Sequence, residues 1–203
     1  MHDLVEEVVP LHGRDLRVLR PRDAESLLDE EAFEHEEFLP YWAELWPSAR
    51  ALAAAISGRA LRGARTLELG CGLGLPSIAA ALAGGRVLAT DWSPEAVELT
   101  RTNAERNGAG LETLVCSWTE PAPLLERAPW DLVLASDVLY EPRNGDALLD
   151  LLPRLTTDVW LADPGRKPAA PFLDAARADW RIESSSSHHL PGGAIHRLRS
   201  ATR

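Results

Sequence analysis

From residue 65 onwards, the sequence alternates between short apolar segments and longer segments with helical periodicity. Turn and helix-capping residues stand between them, so each segment has a marked beginning and end. Seven strands are predicted, at residues 65–69, 86–90, 111–117, 130–136, 158–163, 179–185 and 194–200. Strands that alternate with helices form a parallel sheet with helices on both faces. The last two strands follow one another directly, which predicts an antiparallel final pair in this α/β fold.

The first 45 residues do not share this pattern. Residues 4–20 alternate loosely around a His12-Gly13 turn, which predicts a short hairpin. The acidic segment 22–38 is expected to be helical in part. We therefore predict an N-terminal extension over residues 1–45 that frames the active site, followed by the α/β domain over residues 46–203.

Composition excludes several classes of protein. The chain has 203 residues, 45% of them hydrophobic, and a formal net charge of −10. A nucleic-acid binder usually presents a basic surface, so no nucleic-acid partner is expected. The sequence has no apolar run of the roughly 18 residues that a membrane span needs and no signal-peptide pattern at its start. It also lacks a metal-ligand spacing. These features predict a cytoplasmic protein without a membrane or metal, and a monomer is favoured.

One glycine-rich stretch, ELGCGLGLPS from Glu68 to Ser77, lies between the first sheet strand and the next helix. Glycine costs backbone entropy in a regular element, so glycines at every second position indicate that a ligand approaches the backbone closely. In open α/β sheets, ligands bind at the carboxyl ends of the strands. The following helix also offers free backbone N–H groups. The stretch therefore fits a nucleotide-like cofactor.

Two classes of cofactor compete for this stretch. A dinucleotide fold requires G-x-G-x-x-G, but the third position is Leu75 in one frame and Ser77 in the other. Asp91, at the end of the second strand, can accept two hydrogen bonds from ribose hydroxyls. Both NAD and S-adenosylmethionine (SAM) carry that ribose. An NAD-binding oxidoreductase or a non-catalytic nucleotide-binding module therefore stays open, although the missing third glycine speaks against it.

The acid-x-G-x-G-x-G pattern resembles motif one of the class I SAM-dependent methyltransferases, which have a Rossmann-like seven-stranded sheet with an antiparallel last pair. Further segments, in this order, resemble the family 16 methyltransferases, a group of protein lysine methyltransferases with a D-x-x-Y motif: LWPSARALA, TDWSPEAVELTRTNAERNG, CSW, ASDVLYEP and LADPGR. DPGR is especially similar to the enzymes acting on the β subunit of electron-transfer flavoprotein. The resemblance covers about residues 40–166.

This resemblance implies SAM as cofactor and a role for each matching residue. The implied cofactor-binding residues are Trp46, Glu68, Gly70, Cys71, Gly72, Asp91, Trp118 and Ser136. Glu68 would organise the glycine loop and could bind the ammonium end of SAM. Asp91 would hold the ribose, and Trp118 would lie by the adenine and stack on it. Many class I enzymes have an acid just before that tryptophan, where this chain has Ser117, so recognition of the adenine amino group stays open.

Methyl transfer from a sulfonium is an in-line displacement, for which the nucleophile must be aligned and deprotonated. A lysine amine has an ordinary pKa of about 10.4 and must lose a proton before it attacks. The D-x-x-Y motif follows the fourth strand and supplies a carboxylate and a phenol. Asp137 is predicted to bind and orient the nucleophile, and Tyr140 to shape the entrance. Asp163 and Arg166, in DPGR, also lie at the carboxyl end of a strand.

The predicted function is methyl transfer from SAM to a protein side-chain nitrogen, with lysine as the first expectation and a lysine-bearing protein as the partner. A small-molecule N-methyltransferase is the alternative with the same cofactor. An NAD-binding oxidoreductase or a nucleotide-binding module is the alternative of a different class.

Overall fold

A computed structural model describes residues 3–24, 27 and 40–201. Within them the strands are β1 (Leu4–Leu11), β2 (Arg14–Pro21), β3 (Arg65–Leu69), β4 (Arg86–Asp91), β5 (Glu112–Val115), β6 (Leu132–Ser136), β7 (Asp158–Asp163), β8 (Trp180–Ser185) and β9 (Ala194–Ser200). The helices are α1 (Pro47–Ser57), α2 (Leu75–Leu82), α3 (Pro94–Arg106), α4 (Ala122–Leu125), α5 (Pro142–Leu155) and α6 (Ala169–Ala176), with a 3-10 turn at Tyr41–Ala43. The predicted partial helix at residues 22–38 lies mostly outside the described residues.

Seven strands form one sheet in the order β5-β4-β3-β6-β7-β9-β8. Strands β3 to β7 pair in parallel, and β9 is antiparallel to both β7 and β8. The predicted Rossmann-like sheet with an antiparallel last pair is therefore confirmed. Because β9 inserts between β7 and β8, the edge strand is β8 and not the last strand of the chain.

Alternating side chains of the central strands face two apolar cores. On β6, Leu132 and Leu134 pack in one core and Val133 and Ala135 in the other. The first core is closed by buried residues of α1, α2 and α3, and the second by buried residues of α4, α5 and α6. Burial on both faces is why these strands read as continuous apolar runs. The prediction of helices on both faces is confirmed.

Local capping chemistry sets where several helices begin. Pro94 occupies the first turn of α3, and the hydroxyl of Ser93 accepts a hydrogen bond from the N–H of Ala96 (3.2 Å), as expected of an N-cap. Helix α5 begins at Pro142, because a proline fits the first helical turn. Strand β5 is shorter than predicted, and α4 was not predicted.

The hairpin β1–β2 forms a separate two-stranded sheet. It packs against α3 through amide side chains, since the N–H of Leu19 donates to Oδ1 of Asn103 (2.7 Å) and Nδ2 of Asn103 donates to the carbonyl of Leu19 (3.0 Å). Leu16 and Val18 are buried in the core beneath it. The division into an extension and a domain at residue 45 stays a prediction.

Candidate functional site

Four loops that follow strands meet at the carboxyl edge of the sheet. Strands β4 and β5 follow β3 on one side of it in the sheet, whereas β6 and β7 lie on its other side. The connections after β3 and β6 therefore run in opposite directions, and a crevice opens between these two strands. Leu69 and Ala135 are in register there, which places Gly70 and Ser136 side by side. Nine of the ten predicted site residues line the cavity in this crevice: Trp46, Gly70, Cys71, Gly72, Asp91, Trp118, Ser136, Asp137 and Tyr140. Their individual roles stay predictions.

The glycine loop lines this cavity with bare backbone. Gly70 and Gly72 have φ values of 69° and 52°, in the left-handed region that favours glycine. A Cβ on Gly70 would lie 3.2 Å from Cγ1 of Val138, and one on Gly72 would lie 3.2 Å from the carbonyl oxygen of Trp42. A side chain at either position would therefore strain the backbone and press on a neighbour, and at both glycines the bare backbone forms the cavity wall.

Asp91 ties this loop to the end of β4. Its carboxylate accepts hydrogen bonds from the N–H of Gly72 (2.9 Å) and the N–H of Ser93 (3.1 Å), and a further one from the backbone N–H of Trp92. Burial raises the pKa of Asp91, and these backbone hydrogen bonds act in the opposite direction. A carboxylate offers about four acceptor sites, so the side chain keeps acceptor capacity for a ligand.

Trp118 is shared between this cavity and an adjacent one. The neighbouring hollow is lined by Gly70, Trp92, Cys116, Ser117, Trp118, Thr119, Tyr140, Arg143, Asn144 and Ala147. The hydroxyls of Ser117 and Thr119 hydrogen-bond each other at 2.8 Å. The polar side chains of this hollow are therefore hydroxyl groups, the amide of Asn144 and the guanidinium of Arg143, and its lining, among the described residues, contains no carboxylate.

Glu68 is the predicted site residue that does not line the cavity. Its side chain is fully buried, and Oε2 accepts hydrogen bonds from the N–H (2.9 Å) and the hydroxyl of Ser77, at the start of α2. Oε1 has no hydrogen-bond partner among the described residues. Burial raises the pKa of Glu68 to about 8, with the Ser77 hydrogen bonds opposing the shift. The carboxyl group thus connects the end of β3 to the start of α2, and so fixes both ends of the glycine loop.

The pKa of Glu68 predicts a stability that depends on pH. Between the ordinary pKa of 4.5 and about 8, the folded protein holds a proton that the unfolded chain has lost, so stability falls as the pH rises through this window. We expect Glu68→Gln to remove this part of the dependence. The loss of unfolding free energy between about pH 5.5 and 8 should be smaller in the variant by about 3 kcal/mol. Urea denaturation at several pH values measures it, and parallel curves for the two proteins would contradict the assignment.

Asp137 occupies the centre of the other cavity wall. It follows β6 with a φ of 59°, a left-handed conformation that is uncommon for a residue with a side chain. Oδ2 accepts a hydrogen bond from the hydroxyl of Ser48 on α1 (3.0 Å), and Oδ1 accepts one from Nε of Arg166 (2.5 Å). The carboxylate is buried and held by groups from two distant segments. A strained, fixed polar residue of this kind is typical of a functional site.

Sequence reasoning missed several residues of the cavity. Tyr41, Trp42 and Trp92 also line it, together with Arg166, which the DPGR segment had singled out. The rings of Tyr41 and Tyr140 lie 5.1 Å apart between centroids, and Nε1 of Trp46 donates a hydrogen bond to the carbonyl of Tyr41 (2.7 Å). Burial raises the pKa of the Tyr140 hydroxyl, and its hydrogen bond with Asn144 opposes the shift. The three aromatic residues of the segment YWAELW, residues 41–46, were the sequence feature that could have indicated an aromatic cavity wall.

The thiol of Cys71 lines the cavity but is poorly suited to act as a nucleophile. Burial raises the pKa of the Cys71 thiol well above its ordinary value, which disfavours the nucleophilic thiolate. Across the described parts of the chain, no cluster of His, Cys, Asp or Glu side chains could hold a metal ion. None of the described helices is long and apolar enough to span a membrane.

Curated proteins with similar sequences are protein methyltransferases. The chain is 37% identical over 139 residues to the electron transfer flavoprotein beta subunit lysine methyltransferase of Xenopus laevis, covering 63% of this chain and 53% of that protein. The human protein of the same name is 32% identical over 165 residues, covering 74% of this chain and 58% of the relative. The histone-arginine methyltransferase METTL23 of Xenopus laevis is 33% identical, covering 71% and 62%. The chain spans about half to three fifths of the length of these relatives.

Solved structures agree on the fold. The 16S rRNA N2 G1207 methyltransferase of T. thermophilus, in complex with AdoMet and guanosine, superposes with a TM-score of 0.71 over 97% of this chain and 50% of its own, at 13% identity.

The sequence model of methyltransferase family 16, described as lysine methyltransferase, matches residues 40–160, which is more than half of the chain. The protein therefore belongs to the family 16 methyltransferases.

Proposed function

We propose that this protein uses SAM to methylate a side-chain nitrogen of a protein substrate, with lysine as the target residue. One observation carries the proposal: bare backbone at Gly70 and Gly72, the carboxylate of Asp91, and the Asp137–Tyr140 pair line a single cavity at the carboxyl edge of the sheet. Membership of family 16 and the names of the relatives support it.

The residues present fit a sulfonium nucleoside. The glycine loop leaves room for the methionine part, Asp91 keeps acceptor capacity for the ribose, and Trp118 offers an aromatic face for the adenine. When bound, SAM supplies a methyl group on a positively charged sulfur, which is already activated for displacement. The protein then has to align a nucleophile and exclude competing water.

Asp137 and the aromatic residues around it would do this. The carboxylate of Asp137 can accept an N–H hydrogen bond from the incoming amine while Ser48 keeps its orientation. Tyr140 and Tyr41 form an aromatic wall next to it and would keep water from the reacting atoms. In this arrangement the amine donates to Asp137 and directs its lone pair to the methyl group.

Lysine suits this site better than arginine. A guanidinium stays protonated in proteins, so an arginine substrate would need a free carboxylate to bind its charge. Asp137 already binds a guanidinium, that of Arg166, at 2.5 Å. A lysine can lose its proton and bind as a neutral amine. Because one group of relatives is named for arginine, mass spectrometry of the modified residue belongs in the test.

The substrate and the compartment follow as further proposals. The net charge of −10 suits a basic or lysine-bearing protein surface as partner. The names of several relatives point to the β subunit of electron-transfer flavoprotein as the first protein to assay. The two cysteines are unpaired and buried, which is consistent with a reducing, cytoplasmic compartment.

Thermal unfolding with added ligands tests the cofactor. SAM and S-adenosylhomocysteine should each raise the unfolding temperature, because a ligand at 100 times its Kd stabilises the fold by about 2.7 kcal/mol. NAD at the same concentration should leave it unchanged. A shift with NAD alone would instead assign the cavity to the dinucleotide class.

Incubation with radiolabelled SAM and a lysate depleted of endogenous methylation tests the target. Label should enter a protein band, and digestion should place it on lysine. Label only in the small-molecule fraction would favour the small-molecule alternative, and label on arginine would overturn the assignment of the residue.

A further inference from the structure

Arg166 reaches into the cavity from the loop after β7. Its Nε donates to Oδ1 of Asp137, and its guanidinium carbon lies 5.4 Å from the ring centroid of Trp46. The Arg166 side chain is 31% exposed and the Asp137 side chain 5%. The guanidinium therefore lies between the carboxylate and an aromatic face, an arrangement that suits a cation. Arg166 occupies the place where a cationic group would otherwise bind beside Asp137.

The loop that carries Arg166 is built to hold this position. Oδ1 of Asp163 accepts hydrogen bonds from the N–H of Gly165 (2.7 Å) and the N–H of Arg166 (2.8 Å). Asp163 is 1% exposed, and the N–H of Asp137 donates to the carbonyl of Ala162 (2.9 Å). The segment after β6 and the segment around the end of β7 are thus joined by a backbone hydrogen bond and by the Arg166–Asp137 ion pair. Such support indicates a fixed orientation of Arg166 and not a mobile surface arginine.

We propose that Arg166 is a positioning residue that offsets the charge of Asp137, so that the site accepts the substrate nitrogen as a neutral amine and disfavours an ammonium or guanidinium ion. This role of Arg166 rests on the proposed function, and it would make the cavity prefer a neutral amine over a charged nitrogen group. With Arg166 in place, the carboxylate orients the amine through a hydrogen bond without retaining the proton. Without Arg166, the same carboxylate would bind an ammonium ion strongly and delay its deprotonation.

Several other ionisable groups face this pair. Asp91 comes from the end of β4, Tyr41 and Glu44 from the segment before α1, and Tyr140 from the loop after β6. Asp163 lies behind Arg166 in its own loop. The acidic members of this set attract a cation. Among the described residues that line the cavity, Arg166 is the side chain with a positive charge. Its removal should change the net charge of the cavity by one full unit.

Binding of n-butylammonium, a lysine side-chain mimic, tests this charge directly and needs neither SAM nor turnover. At about pH 7 we expect Arg166→Gln to bind it about tenfold more tightly than the wild type does, by tryptophan fluorescence or NMR titration. Neutral n-butanol should bind both proteins alike. Equal or weaker binding of n-butylammonium to the variant would overturn the proposal.

Arg197 offers a matched control. It pairs with Asp158 and lies 5.2 Å from the ring centroid of Trp160, so it forms the same kind of ion pair and aromatic contact at the opposite end of β7. Its side chain is 26% exposed, close to the value for Arg166. Arg197→Gln should therefore bind n-butylammonium as the wild type does. Tighter binding in this variant too would show a general charge effect and overturn the role of Arg166.

The pH dependence of kcat supplies the second readout. With radiolabelled SAM and the lysate protein that the wild type labels, the rising limb of the profile should move up by about one pH unit in Arg166→Gln. Arg166→Lys keeps the charge and should keep the limb near its wild-type position while lowering kcat. An unmoved limb in Arg166→Gln would overturn the proposal. Absence of protein labelling by the wild type would instead overturn the proposed function, and n-butylammonium binding would still decide the charge role of Arg166.

Discussion

Replacing Asp137 by asparagine is expected to lower turnover by about 100-fold or more while SAM binding stays within about threefold of the wild type. The carboxylate accepts from Ser48 and Arg166, and we infer that its remaining capacity orients the substrate amine. Asparagine tolerates the left-handed conformation that Asp137 adopts, so the backbone can be kept. The amide keeps one acceptor oxygen instead of two, so it cannot accept from Ser48, Arg166 and the substrate amine at once. Initial rates with radiolabelled SAM measure turnover, and calorimetry measures the Kd of SAM.

Asp158→Asn is the control for this variant. Asp158 pairs with Arg197 at the start of β7, away from the cavity, so its substitution removes a comparable charge from a comparable pair. We expect near wild-type turnover from it. Normal turnover of Asp137→Asn on the true substrate would remove Asp137 from the chemistry.

The second large effect is expected for Asp91→Ala, which should weaken SAM binding by about 100-fold or more. Hydrogen bonds to a charged group contribute about 1.5–3 kcal/mol each, and the ribose has two hydroxyls to bind. Asp91 also holds the N–H groups of Gly72 and Ser93, so the alanine variant loosens the glycine loop as well. Calorimetric titration with SAM gives the Kd directly.

A conservative variant separates these two contributions. Asp91→Asn keeps one carbonyl acceptor for the backbone and loses the charge, so its Kd should lie between those of the wild type and the alanine variant. Unchanged affinity in Asp91→Ala, with an intact unfolding transition, would remove Asp91 from the cofactor site.

Much of the fold follows from local chemistry that a sequence displays. The central strands of the sheet are short apolar runs, and the start of helix α3 is set by Ser93 and Pro94, which act on their immediate neighbours. The position of β9 between β7 and β8 depends instead on pairing between segments far apart in the chain. No local pattern encodes that order. The direct succession of the last two strands predicted their antiparallel sense, but not their order in the sheet.

In the candidate site, too, some residues could be predicted from local sequence, whereas others depend on contacts between distant segments. Gly70, Asp91 and Asp137 were predicted because each directly follows a strand or closes one, and the carboxyl ends of parallel strands share one edge. The partners of Asp137 were not predicted, since Ser48 lies 89 residues away in the sequence and Arg166 lies 29 away. Glu68 was predicted to organise the glycine loop and to be able to bind the ammonium end of SAM, but its contact with Ser77 was not predicted. Tertiary contacts decide these points.

A crystal structure of the protein with S-adenosylhomocysteine tests the central claim most directly. We expect the ligand in the cavity of the crevice between β3 and β6, with its ribose hydroxyls on Asp91 and its sulfur facing Asp137 and Tyr140. Ligand density elsewhere on the protein, or a glycine loop filled by neighbouring side chains, would contradict the account.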